Sequence, residues 1–237
     1  MALSIHNAAR RNQLSLLRTL VEENEALVNA KDDDGRTALH CAAASSEDTL
    51  EVVTYLLEHG AEVNSQDPSG WTPLHCAVSA GHEAVVKELI GAGANINERT
   101  GQGMTPLHYA ASKNHIDIGK LLIEKGADYN ARNNANQLPL HRAATTGSTG
   151  FVHLLLHPPE GRPKPRLNTG DRVGNTPLHL AMESGHAEVA VMLIEVGADR
   201  DRTNVDGQTP EQLEGIGEQE QRRVREYVQD RCGPPPS

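Results

Sequence analysis

Residues 70–76 read Gly-Trp-Thr-Pro-Leu-His-Cys, GWTPLHC. The Thr-Pro-Leu-His string returns at Thr105–His108 and Thr176–His179. It has close variants at Thr37-Ala38-Leu39-His40 and Leu138-Pro139-Leu140-His141, and Thr209-Pro210 opens a degenerate copy. The leucines at 39, 74, 107, 140 and 178 are 35, 33, 33 and 38 residues apart. Other landmarks move in step. A glycine lies two residues before each threonine at Gly35, Gly70, Gly103, Gly174 and Gly207. A second follows each later apolar run at Gly60, Gly93, Gly126 and Gly197, and Asn64, Asn97 and Asn130 come four residues after the first three of these. A fixed period near 33 marks a stack of small supersecondary units.

Each residue of the string has a physical use. Thr caps a helix by accepting an orphan N–H, and Pro fits the first helical position because its missing N–H costs nothing there. Leu enters the core between neighbouring units, and the small residues after His let helices approach. "EAVVKELI" (83–90) carries a second apolar stripe, which Gly93 ends in a left-handed conformation. "NINERTGQG" reads as a hairpin whose turn needs glycine. One unit cannot bury its apolar face alone, so stacking is obligatory.

This pattern resembles the ankyrin repeat. The resemblance implies an all-α fold: an ankyrin-repeat solenoid of about seven helix-turn-helix repeats with β-hairpin finger loops. The expected repeats are 1–31 (an atypical cap), 32–66, 67–99, 100–132, 133–170, 171–203 and 204–232 (a second cap), with 233–237 a flexible Pro-rich tail. The two long spacings are expected to fall in loops. One is "ASSEDT" (44–49), between two helices; the other is "HPPEGRPKPRLNTGD" (157–171), after a second helix, which adds Arg162, Lys164 and Arg166.

The formal net charge of the 237-residue chain is −10. This argues against wrapping nucleic acid and favours a basic partner. No apolar run approaches the roughly 20 residues of a membrane span. The opening "MALSIHNAARRNQ" lacks the basic-then-apolar order of a signal peptide, and three cysteines are too few for a disulfide scaffold. The expected setting is cytoplasmic and nuclear, and the expected state is a monomer without membrane contact.

Twelve histidines raise the question of a metal. Six of them, His6, His40, His75, His108, His141 and His179, hold the same slot in successive repeats. There they are roughly 10 Å apart, too far to share an ion whose ligand bonds are about 2 Å. Their expected role is to tie a helix to the neighbouring loop backbone. Cys41 and Cys76 share another slot and exceed the roughly 7 Å reach of a disulfide. No cofactor, metal or catalytic residue is expected.

Trp71 stands apart. Its slot, between the finger glycine and the capping threonine, holds Arg36, Met104, Gln137, Asn175 and Gln208 elsewhere. A scaffold does not require tryptophan there, and Trp is enriched among binding hot spots. The same register places Asp33, Asp34, Ser69 and Arg172 on finger tips. Inner helices supply Tyr109, Ser112, Lys113, Arg142 and Glu183. Together with Arg36, Trp71 and Met104 these are the expected protein-binding residues.

A closer resemblance lies in "GWTPLH" (70–75) and "GMTPLHYAASKNHIDIGKLLIEKGA" (103–127), which look like the gankyrin family of proteasome assembly chaperones. It implies a non-catalytic chaperone that binds the C-terminal domain of a proteasome regulatory-particle ATPase subunit, with Arg36, Trp71 and Lys113 at contact positions. The Leu-x-Cys-x-Glu motif read by retinoblastoma-type pocket proteins is replaced here by Leu180-Ala181-Met182-Glu183-Ser184. That activity does not carry over. A generic ankyrin adaptor, such as an inhibitor of a transcription factor, would use the same positions for another partner.

Overall fold

The computed structural model describes residues 4–215 and 217–235. Pro236 and Ser237, the end of the expected tail, lie outside the described residues. The chain divides into two compact units, residues 1–106 and 107–237.

In the first unit, α1 (Ile5–Arg10), α3 (Ala38–Ala43) and α5 (Pro73–Ala80) form an inner row in which each packs on the next. The outer row is α2 (Leu14–Glu23), α4 (Leu50–Glu58) and α6 (Glu83–Gly91). The second unit repeats the plan with α7 (Pro106–Lys113), α9 (Pro139–Thr145) and α11 (Pro177–Glu183) inside. Its outer helices are α8 (Ile116–Glu124), α10 (Thr149–Leu156) and α12 (Ala187–Glu195). The sequence explains the short inner helices. Thr72 and Thr176 accept the N–H of His75 and His179, and proline fills the first turn of both. Leu39, Leu74, Leu107, Leu140 and Leu178 are all buried, as are Ala42–Ala43, Ala110–Ala111 and Ala143–Ala144. The helical solenoid is therefore the one the string implies. α6 closes as expected: Gly93 has φ 91°, and Ala94 N–H reaches back to Leu89 O at 2.9 Å.

The fingers are tighter than hairpins. Each is a five-residue turn, and no strand is found among the described residues. Asp67 N–H donates to Trp71 O at 2.9 Å and Gly70 N–H to Asp67 O at 2.8 Å, which closes the loop after one pair of bonds. Both long spacings fall where expected: 44–49 joins α3 to α4, and the larger surplus follows α10.

The last repeat, expected as a cap, differs from the others. Its first helix shrinks to one 3-10 turn, Pro210–Gln212, where Gln212 replaces the usual histidine and its Oε1 accepts Thr209 N–H at 2.9 Å. The extended Leu213 ends the turn, and Gly217, at φ 99°, precedes the next helix. α13 (Glu218–Cys232) then packs Val224, Val228 and Gln221 on the preceding pair. Residues 231–232, at the end of the expected cap, form the last turn of α13. The buried Arg200 guanidinium holds the carbonyls of Cys232, Gly233 and Pro234 at 3.3, 3.1 and 3.2 Å.

Candidate functional site

The fingers share one local device. In five of the six fingers the first residue gathers its own turn by accepting the N–H groups of the third and fifth; in the other, Thr100 Oγ1 accepts the Met104 N–H at 3.2 Å. Asp32 takes Asp34 and Arg36 (3.1 and 2.9 Å), and Asp67 takes Ser69 and Trp71 (both 2.9 Å). Asn133, Asp171 and Asn204 do the same in the second unit. Successive fingers are then joined through their tips: Gly101 N–H donates to Ser69 O, Arg172 N–H to Ala135 O and Val205 N–H to Val173 O. Such close approach requires glycine at Gly70, where φ is 76° and an added Cβ would lie 2.8 Å from Gly101 N.

Arg36 belongs to this framework as well as to the surface. Its Nε donates to Asp67 Oδ2 at 3.0 Å, and the Asp67 side chain is only 4% exposed. Burial would raise the Asp67 pKa, but the Trp71 N–H, the Arg36 guanidinium and the Ser69 N–H outweigh it and hold the carboxyl below its ordinary value.

Trp71 divides in the same way. Its N–H goes to Asp67, and its carbonyl accepts from Asp67 N–H and from His40 Nε2 (3.0 Å). The indole is half-buried and tilted 53° to the His75 ring, at 6.1 Å between centroids. Asp33, Asp34 and Ser69 are exposed beside it in the first unit. Met104 is not: at 6% exposure its side chain belongs to the core, which corrects its place among the expected contact residues. The apolar side chain turns inward while its carbonyl receives His75 Nε2 at 3.2 Å.

In the second unit, Tyr109, Ser112 and Lys113 lie on α7, Arg142 on α9 and Glu183 on α11. Ser112 Oγ donates to His108 O and accepts from Arg142 Nε, both at 3.0 Å, so a hydroxyl fixes the guanidinium across two helices. Lys113 and Arg172 are exposed, and Tyr109, Arg142 and Glu183 are half-buried. The chain returns close to Glu183, since a Cβ on Gly215 would lie 1.9 Å from its carbonyl oxygen. The Ser112–Arg142 bond thus directly joins two of the expected residues.

The slot histidines act as expected. His6, His40, His75, His108 and His179 each place Nε2 within 2.9–3.2 Å of a backbone carbonyl about one repeat later. In His40, His75 and His179, Nδ1 accepts the N–H of the capping threonine at 3.2 Å. An acceptor at one nitrogen and a donor at the other define the neutral ring. Burial lowers the pKa of His75 to about 4, against the pull of the Met104 carbonyl, and burial lowers His40 and His179 too. His141 is also lowered to about 4 by burial, yet its Nε2 finds no partner of good geometry: the long insertion precedes the finger it would reach. Cys41 and Cys76 are free and buried, and burial pushes the Cys76 thiol up to about 12, a poor nucleophile.

Two features escaped the sequence reading. Asn29 and Asn64 are ladder rungs. Asn29 donates to Gly60 O and accepts Glu62 N–H (2.9 and 2.8 Å), and Asn64 treats Gly93 and Asn95 alike. Asn130 forms the same rung with Lys164 O and Arg166 N–H, 34 and 36 residues on rather than the 31 and 33 of Asn29. The surplus residues therefore bulge before Lys164, and 164–166 is already back in register. The other feature is the Arg200–Glu211 pair, with Nε 2.8 Å from Oε1 and both side chains under 10% exposed.

A family model described as "Ankyrin repeats (3 copies)" matches residues 4–67, 43–133, 86–165 and 131–204. A 47-residue stretch is 47% identical to human protein phosphatase 1 regulatory subunit 27 and 45% identical to its mouse counterpart. The match covers 20% of this chain and only 30% of each relative's length. Among solved structures, the human ASB11 ankyrin repeat domain superposes with a TM-score of 0.82 at 27% identity, covering 98% of this chain and 99% of that one.

Proposed function

The chain belongs to the ankyrin-repeat family, and on that premise we propose that it is a non-catalytic adaptor that binds another protein. One observation carries this reading. The finger's framework positions recur, while its third position varies: Asp34, Ser69, Gln102, Val173 and Asp206 are exposed and Ala135 is half-buried. A scaffold that conserves its joints and varies its tips suits recognition of a partner rather than turnover of a substrate.

The finer reading is an assembly chaperone for the proteasome regulatory particle, cytoplasmic and nuclear, that binds the C-terminal domain of one of its ATPase subunits as a monomer. Its support is the resemblance of residues 70–75 and 103–127 to gankyrin, together with the exposed Asp33, Asp34 and Lys113 and the half-buried Trp71 ring. A second reading, an accessory subunit of a protein phosphatase, draws on the short match to regulatory subunit 27.

The test is direct binding of the purified chain to each regulatory-particle ATPase C-terminal domain and to protein phosphatase 1, measured by calorimetry. Saturable binding to one ATPase domain, weakened by Trp71→Ala, supports the chaperone. Binding to the phosphatase alone replaces that reading with the second.

A further inference from the structure

The segment after α10, His-Pro-Pro-Glu-Gly-Arg-Pro-Lys-Pro-Arg (157–166), has no role in the reading above. Covalent geometry already restricts its second half. Pro163 and Pro165 have φ fixed near about −65°. Arg162 and Lys164 each precede a proline, which drives them out of the helical region. Four consecutive residues are thus held near polyproline II before any tertiary contact forms.

The second unit then fastens this strip along one side. The Tyr129 hydroxyl donates to Pro163 O, Asn130 Nδ2 donates to Lys164 O at 3.3 Å, and Arg166 N–H donates to Asn130 Oδ1 at 3.1 Å. Arg162 Nη2 reaches Ile123 O at 2.8 Å. Lys164 and Arg166 remain exposed, and neither side-chain cation has an ion pair or hydrogen bond among the described residues. An ordered, extended, cationic strip therefore stands on a chain of net charge −10.

Its chemistry selects the partner. Addition of a β-strand is disfavoured, because Pro163 and Pro165 have no N–H to offer. A uniform polyanion would meet few cations here and a strongly negative chain behind them. A local acidic groove with apolar walls meets neither objection: carboxylates take the alternate cations and the walls take the proline rings. A strip already ordered also loses little entropy on docking. We propose that residues 162–166 are a preformed docking strip for an acidic, aromatic-walled groove on a partner protein.

The probe is a fluorescein-labelled peptide alternating glutamate with tyrosine, titrated by anisotropy at low salt against the full chain. The double variant Lys164→Gln/Arg166→Gln should bind about tenfold more weakly. Pro163→Ala/Pro165→Ala should lose about threefold at an unchanged melting temperature. Arg222→Gln/Arg223→Gln on α13 removes the same charge and should bind like the parent. The proposal fails if the parent does not bind the peptide, if the Lys164/Arg166 variant binds as well as the parent, or if the α13 control loses as much. It fails too if phosphatidylserine vesicles or single-stranded RNA depend on Lys164 and Arg166 more steeply than the peptide does. None of these outcomes depends on which partner the finger tips bind.

Discussion

Asp67 joins two fingers: Arg36 Nε, from the preceding finger, donates to its Oδ2 at 3.0 Å while Ser69 and Trp71 N–H groups converge on its Oδ1. Asp67→Ala would leave the Ser69 and Trp71 N–H groups without their buried carboxylate acceptor, with an expected loss of about 2–3 kcal/mol. Arg36→Ala should cost about 1 kcal/mol or less, because the guanidinium is more than a third exposed and water replaces its partner. Urea unfolding of the two variants checks the order. Equal losses would show that the ion pair, not the turn, holds the fingers.

The buried histidines set an acid limit. Their folded pKa values lie below the unfolded value of 6.5, so they add stability that is complete above that pH and is lost as pH falls through the folded value. For His75, with a folded pKa of about 4, the full loss is roughly 3 kcal/mol. Stability should therefore decline between pH 6.5 and 4, before the depressed carboxyl of Asp67 titrates. His75→Gln should flatten that decline. A chain equally stable at pH 7 and pH 4.5 would contradict the neutral-ring assignment.

The asparagine ladder is solvent-accessible, so each rung should be worth little by itself. Asn64→Ala removes bonds to Gly93 O and Asn95 N–H and should cost about 0.5–1.5 kcal/mol. Amide exchange at Asn95 should speed up in that variant while Leu89 stays protected. Faster exchange throughout α6 would mean that the rung supports the whole repeat.

The helical stack was legible because its determinants are local and repeated: Thr-Pro sets a helix start, the buried leucine keeps its clock, and a left-handed residue, glycine or Asn136, sets each finger turn. The slot histidines were legible for the same reason. What the sequence hid depends on side chains that meet across a repeat. Asn64 and Asn130 were visible as landmarks, but nothing in one repeat says that both ends of the amide reach the next. Met104 occupies a slot that is half-buried at Arg36, Trp71, Gln137 and Gln208 and buried at Asn175, and only packing turned its side chain inward. The seventh repeat keeps Thr-Pro, yet its first helix ends after a single turn at the extended Leu213, and Gln212 imitates the missing histidine. The Arg200–Glu211 pair gives no sequence signal, since its members lie in different elements and follow no period.

The central claim is that the scaffold and the contact surface are separable within GWTPLHC. Leu74 is fully buried, and Leu74→Ala should cost about 2–5 kcal/mol. Trp71 holds the fold through its backbone, which alanine retains, so Trp71→Ala should change stability by about 1 kcal/mol or less. The same change should weaken binding to the proposed partner, an ATPase C-terminal domain, by about 2 kcal/mol, roughly 30-fold. The most direct measurement pairs a denaturation midpoint with a dissociation constant for Trp71→Ala. A kept midpoint with lost affinity is the predicted result; a sharply lowered midpoint with affinity per folded molecule unchanged would make the indole packing and contradict the account.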